Sequence, residues 1–193
     1  MCIRDRASTD ESLALAFRIQ FTPTMLGYKG ETGYSISDTY LGKQNVLTLG
    51  LGYNTQKNKK DGNTWKMLTM DVNWEQKFGD MIPNVQVGIN DLKDHNVAKE
   101  DARAFWAQGQ LLYDQVVGLG KPAIALGWFN SENKLANGNK QKVNRYAVYF
   151  NYYIKGNAAK IQAGMASFQR NSTDKGTTGK NYTDFTLALQ TQF

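Results

Sequence analysis

The chain has 193 residues, 41% hydrophobic and 21% charged, with a formal net charge of +6. That is ample for a core and too little charge for a disordered chain. One cysteine, Cys2, excludes an internal disulfide framework, and one histidine, His95, excludes a metal site built on two imidazoles. No run of apolar residues is long enough for a transmembrane helix. A negative mean hydropathy leaves the membrane open, because transmembrane strands alternate apolar and polar residues and average out as polar. Residues 1–6 have neither an apolar h-region nor a cleavage site, so they are not a secretory signal. They read as an extraneous leader, with residues 7–193 as part of one domain.

From residue 13 onward, alternation with a period of two dominates, and helical periodicity is scarce. Leu13, Leu15, Phe17, Ile19 and Phe21 form the first apolar row, with Arg18 and Gln20 opposite. Leu47–Tyr53 form the second and Leu68–Trp74 the third, the latter opposed by Thr69, Asp71, Asn73 and Glu75. Val85–Ile89, Phe105–Tyr113 and Ile124–Trp128 follow. Tyr146–Ile154, Ala159–Met165 and Phe185–Phe193 complete nine rows, each predicting a strand of about ten residues. Strands of that length suit a tilted bilayer crossing. A half-strand is expected around Thr39–Leu41, inside the long connection 23–44.

The connections alternate in kind. Residues 55–64, 91–103, 131–144 and 171–181 are long and polar, whereas those around 77–83, 114–122 and 155–158 are shorter or less charged. With the third taken as 131–145, the long loops together carry +5 of the +6, so the basic balance gathers at one rim. Such a rim suits lipopolysaccharide phosphates or small anions. Without a basic helix or an interleaved stacking platform it does not suggest nucleic acid. Aromatic residues fall near the row ends. Tyr53, Phe105, Trp128 and Tyr146 are expected in one girdle, and Trp74, Tyr113, Tyr152 and Phe193 in the other. A soluble β-sandwich with an aromatic core is the competing reading, but its strands are usually shorter.

The chain ends in Phe185-Thr-Leu-Ala-Leu-Gln-Thr-Gln-Phe193, which resembles the C-terminal signal of bacterial outer-membrane proteins. The stretches Tyr146–Phe168 and Asp38–Tyr53 resemble general and phosphate-selective porins, the porin O/P family. The resemblance implies an antiparallel up-and-down transmembrane β-barrel in the bacterial outer membrane, with its C-terminus periplasmic. It also implies a homotrimer and recognition of the last strand by the barrel-assembly machinery. Phosphate-selective members carry a pore-lining ladder of Arg and Lys. Here Arg18, Arg145, Lys155 and Lys160 have inward parity, sharing that face with Asp71, Glu75 and Asp184.

Other motifs have simpler readings. Gly118-Leu-Gly-Lys-Pro-Ala123 matches the spacing of a dinucleotide loop, but Pro122 and an alternating row follow where a helix is required, so a turn is expected. His95 beside Asp94 reads as a loop residue with no nucleophile at hand. Asn171-Ser-Thr and Asn181-Tyr-Thr match glycosylation acceptors by loop composition. Asp71, Asn73 and Glu75 share one strand face and read as water-facing polar residues rather than an acid–base pair. No catalytic residue, metal or cofactor is implied. The expected function is passive diffusion of small hydrophilic solutes. An outer-membrane lipase or protease barrel, or a translocator exporting a passenger, are the alternatives. Single-chain bacterial barrels have even strand numbers, so nine rows predict the C-terminal part of a larger barrel. Sequencing the complete gene checks this: further strand-forming sequence is expected upstream, and a native start near Ala7 overturns it.

Overall fold

A computed structural model describes residues 14–30, 39–57, 64–94, 100–135, 138–172 and 181–191. The leader with Cys2, the loop residue His95 and the terminal Phe193 lie outside the described residues. Nine strands run in chain order: β1 (Ala14–Phe21), β2 (Val46–Lys57), β3 (Thr64–Glu75), β4 (Met81–Lys93), β5 (Asp101–Tyr113), β6 (Lys121–Lys134), β7 (Lys140–Tyr153), β8 (Ala159–Ser172) and β9 (Tyr182–Thr191). Each pairs antiparallel with its chain neighbour in one up-and-down sheet, with β1 and β9 at its edges. The only helix among the described residues is a single 3-10 turn, Thr24–Leu26.

Register keeps the two faces separate from edge to edge. One row runs Phe21, Leu49, Val72, Val87, Ala107, Trp128 and Tyr146 across β1 to β7. Another runs Trp74, Val85, Gly109, Leu126, Val148, Met165 and Phe185 across β3 to β9. Because side chains alternate with a period of two, a slip of one residue anywhere would mix the faces. The apolar face is open: Phe17, Leu51, Met70, Leu126, Phe150 and Leu187 are all exposed. Burial is concentrated on the opposite face, at Thr48, Asn73, Glu75, Asn84, Gln86 and Asn151.

The strands run past the apolar rows into the segments expected as loops. Their continuation is held by charge. Lys93 pairs with Asp101 at 3.1 Å, Arg103 with Asp91 at 3.3 Å, and Glu132 with Lys142 and Lys140 at 2.8 and 3.0 Å. By parity these charges stand on the apolar face, beyond its last aromatic residues. The polar sequence hides these strand ends from a hydrophobic reading, because cross-strand ion pairs replace apolar pairs there.

The opposite end has short turns. Gly79 and Asp80 close a tight hairpin, with Phe78 N–H donating to Met81 O at 2.8 Å and Met81 N–H to Phe78 O at 3.0 Å. Gly79 has φ 58°, a region that favours glycine. The Gly118-Leu-Gly120 sequence is a turn leading into β6, as expected. There the Tyr152 hydroxyl accepts from Leu119 N–H and Gly120 N–H, both at 2.9 Å, and donates to Val117 O. Asp114 ties two turns together by pairing with Lys121 at 2.6 Å and with Lys77.

The connection between β1 and β2 departs from the expected half-strand. Thr39–Leu41 has no strand pairing and instead forms a turn on the buried face. The Leu41 side chain packs against a small core of Ile82, Leu112, Ala123 and Tyr153. Thr39 hydrogen-bonds both to Glu75 on β3 and, through its carbonyl, to Asn157 in the β7–β8 turn at 2.8 Å. In a flat sheet those anchors would stand four or five strand spacings apart, roughly 20 Å. One residue reaching both requires the sheet to curl around it.

The two lysine hydrogen bonds, Lys121 first and then Lys77, hold the Asp114 carboxyl below its ordinary range. A carboxylate with a depressed folded pKa contributes stability above its unfolded pKa and loses it as pH falls through the folded value. The wild-type advantage over Asp114→Asn in thermal unfolding is therefore expected to be full at neutral pH and to vanish in strong acid. Both lysines are partly solvated, so it should stay below about 1 kcal/mol.

Candidate functional site

The buried, curled face carries most of the polar side chains. At one side, Arg18 on β1 grips Asp71 on β3 through two parallel hydrogen bonds of 2.6 and 2.7 Å, reaching over β2. Glycine makes the reach possible. A Cβ on Gly50 would stand 2.6 Å from Asp71 Oδ2 and closer still to the Arg18 guanidinium. The fork geometry suits a bidentate pair, and each charge neutralises the other. The sequence placed these two residues on one face, and the structure brings them together.

Glu75 differs from its expectation as a water-facing carboxylate. It is fully buried, because the Thr39–Gly42 turn folds over it. Its Oε2 accepts from Thr39 Oγ1 at 2.5 Å, Tyr40 N–H at 2.9 Å and Asn84 Nδ2 at 3.1 Å, while Oε1 accepts from Gly42 N–H at 3.0 Å. Thr39 Oγ1 in turn accepts from Leu41 N–H at 3.0 Å. Leu41 has φ 56°, unfavourable by about 1–3 kcal/mol for a non-glycine residue. Burying its side chain against the core offsets a cost of that size. Gly42 lies so close to Ile82 that a Cβ would overlap the isoleucine Cδ1.

Across β4 to β8 the face is a ladder of amides. Gln108 Nε2 donates to Gln86 Oε1 at 2.7 Å, and Asn151 Nδ2 and the Tyr153 hydroxyl both donate to Gln110 Oε1 at 2.9 Å. Gln162 Nε2 donates to Asn151 Oδ1 at 2.8 Å. Between these side chains a trough runs past Asn84, Gln108, Gln110, Arg145, Tyr149 and Asn151, with small residues Ala125, Gly127 and Ala147 leaving it room. Gln110 Nε2 is buried beside it without a hydrogen-bond partner. Such a lining offers hydrogen bonds to neutral polar solutes and carries one cation, Arg145. Its guanidinium donates to the Tyr149 hydroxyl at 2.6 Å and sits 5.4 Å from the Phe168 ring centre.

The remaining charged residues are scattered. Lys160 is only 9% exposed and lies over the Tyr153 ring, so it does not project into open water. Lys155 is exposed in the β7–β8 turn, outside any strand, and Asp184 is exposed on edge strand β9. The aromatic residues expected at the row ends occupy the outward face. Tyr53 packs on Phe17 at 5.6 Å and Phe105 on Trp128 at 5.0 Å, with Tyr146 cross-strand to Trp128. Trp74 packs on Phe78 at 6.3 Å, and Tyr113 and Tyr152 adjoin the short turns. Among the described residues no three His, Cys, Asp or Glu side chains gather to hold a metal.

Sequence reasoning missed a second aromatic set, on the polar face. Trp106 lies against Gly88, Phe129 is cross-strand to Arg145, and Phe168 stacks on Tyr182 with ring centres 4.6 Å apart. Adjacent aromatic residues were the available signal. In Phe105-Trp106 and Trp128-Phe129 alternation must send one ring to each face.

No family model, no curated protein and no solved structure matches this chain.

Gly50→Ala is expected to cost about 1–3 kcal/mol by overpacking the Arg18–Asp71 pair. Urea unfolding checks it. Combined with Asp71→Ala, which removes the colliding carboxylate, the total should fall short of the sum of the single costs.

Proposed function

We propose that this chain is wall of a bacterial outer-membrane β-barrel of the porin kind, a passive diffusion path for small hydrophilic solutes. The observation that carries the reading is the division of nine paired strands into one exposed, mainly apolar face and one mainly polar face that is buried across the inner strands β2 to β8. Contiguous exposed apolar surface of that extent is rare on soluble monomers and needs a cover. Among the described residues no second sheet or helical layer provides one. Lipid does so without further protein, and paired strands satisfy their backbone groups within it.

Dimensions and chemistry agree with that solvent. Strands of 13 or 14 residues, as β4 to β8 are, rise about 33 Å at a tilt of about 40°, more than the roughly 25 Å apolar band of such barrels. The excess length is where the ion-paired charges stand, beyond Phe105, Trp128 and Tyr146. Lys66, Lys93, Arg103, Lys140 and Lys142 outnumber Asp91, Asp101 and Glu132 there. They would meet the phosphates of lipopolysaccharide, with the opposite aromatic girdle at the periplasmic side. The β9 strand would serve recognition by the assembly machinery, and assembly as a homotrimer follows the porin pattern.

The polar face would line water. Its charges largely cancel or are buried: Arg18 with Asp71, Glu75 under the docked turn, Lys160 against Tyr153. Arg145 then gives the path a mild preference for anions.

The test is single-channel recording of the full-length protein in planar bilayers, with reversal potentials in a salt gradient. Ohmic conductance with mild anion preference is expected. Absence of conductance overturns the porin reading, and cation preference overturns the role given to Arg145 alone.

A further inference from the structure

We propose that the Thr39–Gly42 turn is the constriction of the aqueous path and that Glu75 is the residue that positions it; this rests on the pore reading above. The turn stands on the inner face, at the short-turn end of the sheet, and bridges it. It is anchored to β3 through Glu75, to the small core of Ile82, Leu112, Ala123 and Tyr153 through Leu41, and to the β7–β8 turn through Asn157. A segment held from both sides of a curled sheet narrows whatever that sheet encloses. The amide-lined trough abuts it directly, since Asn84 lines the trough and donates to the same Glu75 oxygen that holds Thr39 and Tyr40. A solute moving along the trough meets the turn next.

The anchoring is specific to a carboxylate. Four donors converge on the two oxygens of Glu75: a hydroxyl, two backbone N–H groups and an amide. Glutamine has the same shape but only one acceptor oxygen, and its amide nitrogen would face a donor. Glu75→Gln therefore injures the docking while leaving strand pairing intact. Leu41→Ala injures it from the other side, by emptying the apolar seat beneath the turn.

The experiment combines single-channel conductance of the full-length protein with backbone deuterium exchange at Tyr40 and Gly42, for wild type, Glu75→Gln and Leu41→Ala. Slow exchange is expected in wild type. In both variants we expect faster exchange together with a conductance raised about twofold or more, as a fixed obstacle loosens. Faster exchange with unchanged conductance overturns the constriction while leaving the pore reading intact. Unchanged exchange in Glu75→Gln overturns Glu75 as the positioning residue. Absence of conductance in wild type overturns the pore reading and the constriction with it. If Glu75→Gln fails to fold in detergent, Leu41→Ala decides the constriction by the same criteria.

Discussion

The structure depends on one constraint: parity must be kept through eight successive antiparallel pairings. Each strand fixes which of its side chains face its neighbour's, and the two faces stay distinct only if no pairing slips by a residue. Hydrophobic pairing keeps parity in the middle of the strands, as in the rows through Val72 and Val87 or Leu126 and Val148. Ion pairs keep it at the polar ends, from Asp91 with Arg103 to Glu132 with Lys142. Short turns with left-handed glycines fix it at the other end.

Given that separation, the polar face has a packing problem that the apolar face does not. Its side chains point into a curled interior, where each donor and acceptor needs a partner. Three solutions sit side by side. Arg18 and Asp71 pair over glycines, amides pair with amides along the ladder, and Glu75 takes its partners from a segment outside the sheet. The last is the most demanding, because a buried carboxylate is tolerable only when its oxygens are satisfied. The turn over Glu75 in turn accepts a left-handed leucine for a seat in the small apolar core. Glu75 and Leu41 therefore depend on each other.

Much of this was legible in the sequence. All nine strands were visible as alternating rows, because exposed apolar side chains on one face and polar ones on the other give the strongest period-two signal. Strand ends were not, because apolar alternation stops near Ile89 or Trp128 while backbone pairing continues to Lys93 or Lys134. The parity of Arg18 and Asp71 was readable, but their pairing needed Gly50 to be recognised as a passage rather than a weak strand position. The burial of Glu75 was not readable at all. It depends on Thr39, Tyr40 and Gly42, which lie more than 30 residues away and show no pattern of their own. Trp106 and Phe129 were legible in principle, as second members of adjacent aromatic pairs.

The Thr39–Asn157 hydrogen bond also bears on how the chain reaches this arrangement. Every strand pairs with its immediate neighbour, so the sheet can grow hairpin by hairpin, each step closing only a short loop. The bond from Asn157 to Thr39 joins residues 118 positions apart and has no local precursor. It can form only after β2 to β8 are in register and curled, because its two ends lie in connections at opposite sides of that run of strands. Docking of the turn thus follows the pairing of β2 to β8, and its closure marks a wall whose register is already correct across those strands.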